Sequence, residues 1–170
     1  MRFDKLTTKF QQALTDAQSI ALGADNATIE PQHLLLALLN QEESSTASLL
    51  ARAGVQLNAL KMALTNAVDA FPKPAETNGE IAISRDLSNL LNVTDKLAQK
   101  RDDTYIASEM FLLALADDKG ETGKLLKKNG LTKKALEAAV MAVRGNDNVD
   151  DPGAEGQREA LKKYTMDLTE

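Results

Sequence analysis

Ile29-Glu30-Pro31-Gln32-His33-Leu34-Leu35-Leu36-Ala37-Leu38 returns 77 residues later as Ile106-Ala107-Ser108-Glu109-Met110-Phe111-Leu112-Leu113-Ala114-Leu115. The same offset holds upstream, where Phe10, Leu14 and Ala21 stand opposite Leu87, Leu91 and Ala98. Downstream, Leu49-Leu50, Gly54 and Leu60 match Leu125-Leu126, Gly130 and Leu136 at an offset of 76, so one residue is missing from a loop of the second copy. The chain is an internal duplication. Its repeat is too long for a short-period solenoid, and two such copies fuse into one globule with approximate two-fold symmetry. The seam between halves is a natural place for a groove.

Outward from that stretch the pattern is helical. Leu6, Phe10, Ala13, Leu14, Ala17 and Ala21 recur at helical spacing between Asp4 and Leu22, with Gly23 placed to supply a left-handed stop. Pro31 suits the first position of a second helix whose body, Leu34 to Leu39, is apolar on every side and so belongs inside. Ser44 and Ser45 can cap a third helix ending at Gly54, and a fourth covers Leu57 to Ala70. Two prolines and an Asn-Gly step between Phe71 and Gly79 mark the joint. The second copy repeats the order: a helix capped by Ser84 through Lys100, an apolar helix from Ser108 to Asp117, a short one from Thr122 to Asn129 closed by Gly130, and a last one capped by Thr132 through Val143. Ile81-Ala82-Ile83 alternates but is too short to make a sheet alone. The expected fold is all-α: two pseudo-symmetric four-helix repeats, about 4–70 and 84–144, forming one globule over 1–145. Residues 146–170 read as a linker, with a helical polar pattern from Gln157 to Thr169 that leads toward a further domain.

Composition removes several function classes. The chain has 170 residues, no cysteine and one histidine, which leaves no disulfide, thiol chemistry or thiolate metal site. Its 25 acidic and 20 basic residues give a net charge of −5 without a basic block, so neither nucleic acid nor membrane is an expected partner. No secretory signal is visible, and the apolar run Leu34 to Leu39 is far short of a membrane span, which reads as cytoplasmic. The sequon Asn26-Ala27-Thr28 is then a chance match.

Candidate chemistry is sparse. Gly120-Glu121-Thr122-Gly123-Lys124 invites comparison with a phosphate-binding loop, but Asp118 stands where the first glycine belongs and Leu125 where a magnesium-binding hydroxyl is needed. It reads as the turn that starts a helix, with a Ser/Thr cap preference. His33 beside Glu30 reads as a histidine bonded to a neighbouring loop, because the second copy puts Met110 in its slot. The pairs Asp102-Asp103 and Asp117-Asp118 are loop acids without visible convergent partners. Helical phase is more telling. Leu87, Leu91, Thr94 and Ala98 share one face of the helix after Ser84, whereas Val93 lies well outside it. Val93 is therefore a candidate contact residue, with Leu91 at the stripe edge and Met110, flexible and polarisable, extending the patch.

Three stretches carry a family resemblance: Lys9-Phe10-Gln11-Gln12-Ala13-Leu14 with Ala17-Gln18, Ile29 to Leu35, and Lys96-Leu97-Ala98-Gln99-Lys100-Arg101. With the tail Ala160 to Glu170 they make the whole chain resemble the N-terminal domain of the Clp family of AAA+ unfoldases, most of all its disaggregase branch. The resemblance implies no catalysis and no cofactor in this chain, with ATP and magnesium confined to ATPase modules elsewhere in the parent. It implies a homohexameric parent that works with an Hsp70 chaperone system, while the N domain captures apolar segments of unfolded or aggregated proteins. The family's groove would fall here on Thr7, Ser84, Leu91, Asp103, Glu109 and Met110, to which helical phase adds Val93. The alternatives are the adaptor-docking N domain of a Clp protease regulator and, among enzymes, a small helical hydrolase using His33 with Glu30.

Overall fold

A computed structural model describes residues 2–41, 45–73, 81–144, 149, 152 and 153. Eight α-helices are described: α1 Thr8–Gly23, α2 Pro31–Asn40, α3 Ser45–Arg52 and α4 Leu57–Ala70 in the first half, α5 Arg85–Lys100, α6 Ser108–Asp117, α7 Glu121–Lys128 and α8 Lys133–Arg144 in the second. Three caps follow the sequence, while the expected Ser44 cap and most of the joint between repeats, 74–80, lie outside the described residues. The hydroxyls of Thr7 and Ser84, 77 residues apart, accept from the backbone N–H of Phe10 (3.3 Å) and Leu87 (3.1 Å), and Thr132 accepts from Ala135 N–H at 3.1 Å. Pro31 occupies the first turn of α2, where its missing N–H costs nothing.

The two apolar helices form the centre. Residues 31–39 of α2 and 108–116 of α6 are buried along their whole length, because each is enclosed by its own half and by the other. Helix α1 packs on α2 and α5 on α6, while α3 lies against α8 and, as its symmetry mate, α7 against α4. Phe10 and Phe111 meet inside with ring centroids 6.2 Å apart and a tilt of 57°, an edge-rich geometry that ring quadrupoles favour.

Backbone details repeat at the same offsets. Asp25 (φ 57°) and Asp102 (φ 58°) take the left-handed conformation after α1 and α5, and the next amides, Asn26 and Asp103, reach back to the carbonyls of Ala21 and Ala98 at 2.9 and 3.0 Å. The stop expected at Gly23 is thus at Asp25, a residue type that tolerates this region. Gly54 (φ 92°) and Gly130 (φ 109°) are also mates, and they meet at the seam: a Cβ on Gly130 would lie 2.8 Å from the Gly54 carbonyl oxygen.

Two expectations change. Helix α1 starts at Thr8, not Asp4, since Phe3–Lys5 forms a separate 3₁₀ turn and Leu6 is extended in a parallel bridge with Ile106. The alternating Ile81-Ala82-Ile83 does pair: β2 (Ala82–Ile83) lies parallel to β1 (Thr28–Ile29), with Ile29 opposite Ile83. These two junctions are symmetry mates, and each fastens one half to the other. The short length of β2 is no obstacle because its partner strand comes from the other repeat.

The last expected boundary, 145–148, lies outside the described residues, as does the linker pattern from Gln157 onward. Val149 and Pro152 still touch the globule. Val149 N–H donates to Asp103 Oδ1 (3.0 Å), Tyr105 N–H to the Val149 carbonyl (2.9 Å), and Thr8 N–H to the Pro152 carbonyl (2.8 Å). The Val149 side chain is buried.

Candidate functional site

The seven residues expected to line a groove do not share an open face. Thr7 and Ser84 are the helix caps just described and are themselves buried. Leu91 and Met110, expected at a surface edge, are 1% and 0% exposed. Leu91, the mate of Leu14, belongs to the buried stripe of α5, and Met110 lies in the first turn of the central helix α6. Helical phase alone could not tell a stripe edge from a position that packing encloses.

Asp103 and Glu109, expected to face a client, instead face each other's shared cation. Arg144, at the end of α8, places Nε 2.8 Å from Glu109 Oε1 and Nη1 2.8 Å from Asp103 Oδ2, with side-chain exposures of 4% for the arginine and 0% for both acids. The second of these is an ionic contact that falls short of hydrogen-bond alignment. Burial disfavours the Arg144 cation, yet the two carboxylates more than offset this, and its pKa is raised. The cluster joins α8, α6 and the loop after α5, and Asp103 Oδ1 extends it to Val149.

Repeat one solves the same problem with neutral groups. The mates of Asp103, Glu109 and Arg144 are Asn26, Gln32 and Val68, all buried. Here His33 makes the tie: Glu30 N–H donates to Nδ1 at 2.8 Å, so Nε2 carries the proton and donates to Asn26 Oδ1 at 2.8 Å. The Glu30 carboxylate accepts in return from the first turn of α2, a reciprocal cap. Burial lowers the His33 pKa to about 4, and the ring of Phe71 covers it at 5.4 Å. The histidine is a structural strut, bonded to the loop as its sequence context suggests, and Asn26 of the sequon is its buried partner.

Val93 alone of the seven is open, at 42% exposure, and it opens onto a groove of about 330 Å³. Helix α5 supplies one wall through Asp86, Asn89, Leu90 and Val93, a stripe at i, i+3, i+4 and i+7 beside the buried one. The start of α2 gives Pro31 and Gln32, the end of α4 gives Phe71, and the α6–α7 corner gives Asp118, Gly120, Glu121 and Thr122. That corner is tight because a Cβ on Gly123 would lie 2.4 Å from the Asp118 carbonyl oxygen, so only glycine lets α7 start there. The Gly-Glu-Thr-Gly-Lys run is therefore a helix start, capped by Gly120 with Thr122 buried inside the first turn. The lining is mixed: Pro31, Phe71, Leu90 and Val93 are apolar, Glu30, Asp86, Asp118 and Glu121 are acidic, and it holds no lysine or arginine.

Sequence reasoning found Val93 and missed the rest of the groove. Asp117-Asp118 was visible only as loop charge; Asp117 pairs with Lys133 at 2.9 Å, and Asp118 faces the groove. Phe71 sat inside the expected joint, and Asp86 carried only the ordinary signal of an acid in a first helical turn. Among the described residues no cluster of three potential metal ligands occurs, and no helix is long and apolar enough to cross a membrane.

Comparison with known proteins gives a consistent result. The model of the Clp repeat (R) N-terminal domain matches residues 5–129. The chain is 48% identical over its full length to the chaperone protein ClpB of Vibrio cholerae serotype O1, and 47% identical over 99% of its length to ClpB of Pseudomonas putida. It spans about a fifth of the length of each. Among solved structures, the fold is similar to the Hsp104 N-terminal domain from Candida albicans (TM-score 0.77, 22% identity, 89% of this chain and 99% of that one). It is also similar to a ClpV N-domain solved in complex with a VipB peptide (TM-score 0.68, 19% identity, 85% of this chain and 89% of that one).

Proposed function

The chain belongs to the Clp repeat N-terminal domain family, and from that premise we propose that it is a non-catalytic capture module for extended segments of unfolded or aggregated protein. The observation that carries this reading is the groove beside Val93, partly apolar in its lining and open to solvent next to α2 and α6, which are themselves buried. A client laid there would bury on the order of 130 Å² of apolar surface counting both partners, a gross gain of about 3 kcal/mol at ~25 cal/mol/Å². Association and ordering costs remove most of that gain, which leaves binding in the micromolar range or weaker. Weak capture suits a domain that passes chains onward. The parent would be a cytoplasmic homohexamer whose ATPase modules, with ATP and magnesium, do the threading alongside an Hsp70 system.

The test is a titration of the purified chain and of Val93→Ser with one unfolded client protein. Val93 is exposed, so the change should leave the denaturant midpoint nearly unaltered while weakening binding. Unchanged binding by the folded variant would remove the groove from the reading. The second reading is adaptor docking, favoured by the similar ClpV N-domain solved with a VipB peptide. It predicts binding of a folded partner that unfolded client does not compete away.

A further inference from the structure

His33 is fully enclosed, yet two of its three contacts are to residues that line the groove. Nδ1 accepts from the Glu30 N–H at 2.8 Å, and Glu30, Pro31 and Gln32 form the α2 side of the lining. The ring also meets Phe71, the α4 side of the lining, with centroids 5.4 Å apart and a tilt of 52°. The third contact is the anchor. Nε2 donates to Asn26 Oδ1 at 2.8 Å, and the Asn26 N–H is held in turn by the Ala21 carbonyl of α1 at 2.9 Å. The opposite wall is reached from the same point, because Glu30 follows Ile29, whose carbonyl accepts from the Ser84 N–H at 3.0 Å. Ser84 caps α5, the source of Asp86, Asn89, Leu90 and Val93. Imidazole suits this post, since one rigid ring presents an acceptor and a donor at fixed separation. Met110, in the matching slot of the second repeat, is flexible and has no N–H to give: it fills space without fixing a neighbour.

We propose that His33 is a positioning residue for capture: without touching the client, it holds the Glu30–Gln32 wall, Phe71 and, through Ile29 and Ser84, the start of α5 at the spacing the groove requires. The inference rests on the capture reading and adds to it the group that shapes the site. Two amide side chains separate the two bonds of the ring. Asparagine can put an oxygen where Nδ1 stands and accept from the Glu30 N–H, but it is too short to reach Asn26. Glutamine can put an N–H where Nε2 stands and donate to Asn26, but it leaves the Glu30 N–H without its acceptor. Methionine, the residue of the second repeat, supplies neither bond. Because Glu30 is the wall residue and Asn26 is not in the lining, asparagine is the substitute that preserves the groove.

The experiment titrates the full chain against labelled reduced and carboxymethylated lactalbumin, an unfolded protein, by fluorescence anisotropy. Each variant is measured at a temperature where its denaturant melt shows it folded. His33→Met and His33→Gln should each weaken binding about fivefold, the effect of about one net hydrogen bond, while His33→Asn stays close to the parent. Hydrogen exchange read by NMR follows the wall itself: the Glu30 amide should exchange faster in the methionine and glutamine variants and not in the asparagine one. A role confined to core stability gives no such order, since asparagine leaves the largest void of the three and would bind worst. Binding that falls with lost stability, asparagine lowest, therefore overturns the proposal. So does parent-like binding by folded His33→Met or His33→Gln while Val93→Ser weakens it, an outcome that leaves the capture reading standing. If neither the His33 variants nor Val93→Ser alters binding, the capture reading itself falls, and the proposal with it. Should His33→Met not fold, the contrast between asparagine and glutamine decides the question alone.

Discussion

Arg144→Met puts the buried ion cluster to its most direct test. The parent holds one guanidinium between two carboxylates, all effectively out of water. Without the cation, Asp103 and Glu109 become two like charges in a site that neither side chain can leave, and breaking a buried pair in this way costs about 3–5 kcal/mol. Methionine retains the unbranched stem, so little of that loss comes from an empty cavity. The first repeat shows what a neutral version looks like, with Asn26 and Gln32 at the mates of the two acids and apolar Val68 at the mate of the arginine. Asp103→Asn, Glu109→Gln and Arg144→Met together should therefore recover most of the loss and end within about 2 kcal/mol of the parent, since no buried charge remains. Urea melts followed by circular dichroism give both numbers, with the m-value as a check on two-state behaviour. A single Arg144→Met costing under about 1 kcal/mol, or a triple variant as unstable as the single, would refute the claim that charge compensation holds this corner together.

The remaining predictions concern the other half and the core. His33 has a folded pKa of about 4 against 6.5, so the unfolded chain takes up its proton first; stability from this group is complete above about pH 6.5 and falls to its minimum near pH 4. The full loss is about 3 kcal/mol, read as the difference between pH 7 and pH 4 melts of the parent minus the same difference in His33→Gln. Leu35→Ala and Leu112→Ala should each cost about 2–5 kcal/mol in denaturant melts, because both side chains are fully enclosed by the two central helices. Leu91→Ser and Met110→Ser should behave as core lesions too, lowering the midpoint strongly, whereas Val93→Ser should not.

The duplication was legible because apolar spacing survives divergence, and the eight helices it implied occur, though the start of α1 and its left-handed stop shift by a few residues. Leu34 to Leu39 reads as an interior helix from its pattern alone. What the pattern could not convey was which apolar edge packing encloses, and that is why Leu91 and Met110 looked exposed. Asp103 and Glu109 failed for a related reason. A carboxylate in a loop and one at a helix start look solvated until a cation 35 residues downstream of Glu109 folds back onto them. The groove itself was hidden because its walls come from four separate places in the chain, and only Val93 broke a local rule strongly enough to be noticed.

The return of the chain to the globule, at Val149 beside the loop after α5 and at Pro152 beside the start of α1, has a mechanical consequence. Tension applied beyond Gly153 does not reach the end of α8 directly. It meets the ties around Pro152, among them the bond from Thr8, before the pair linking Val149 to Asp103 and Tyr105. Only after these yield does load pass to Arg144 and, through it, to α6 in the centre. The pull therefore enters beside the start of α1, and a few replaceable hydrogen bonds act as a fuse that slackens before the globule is strained.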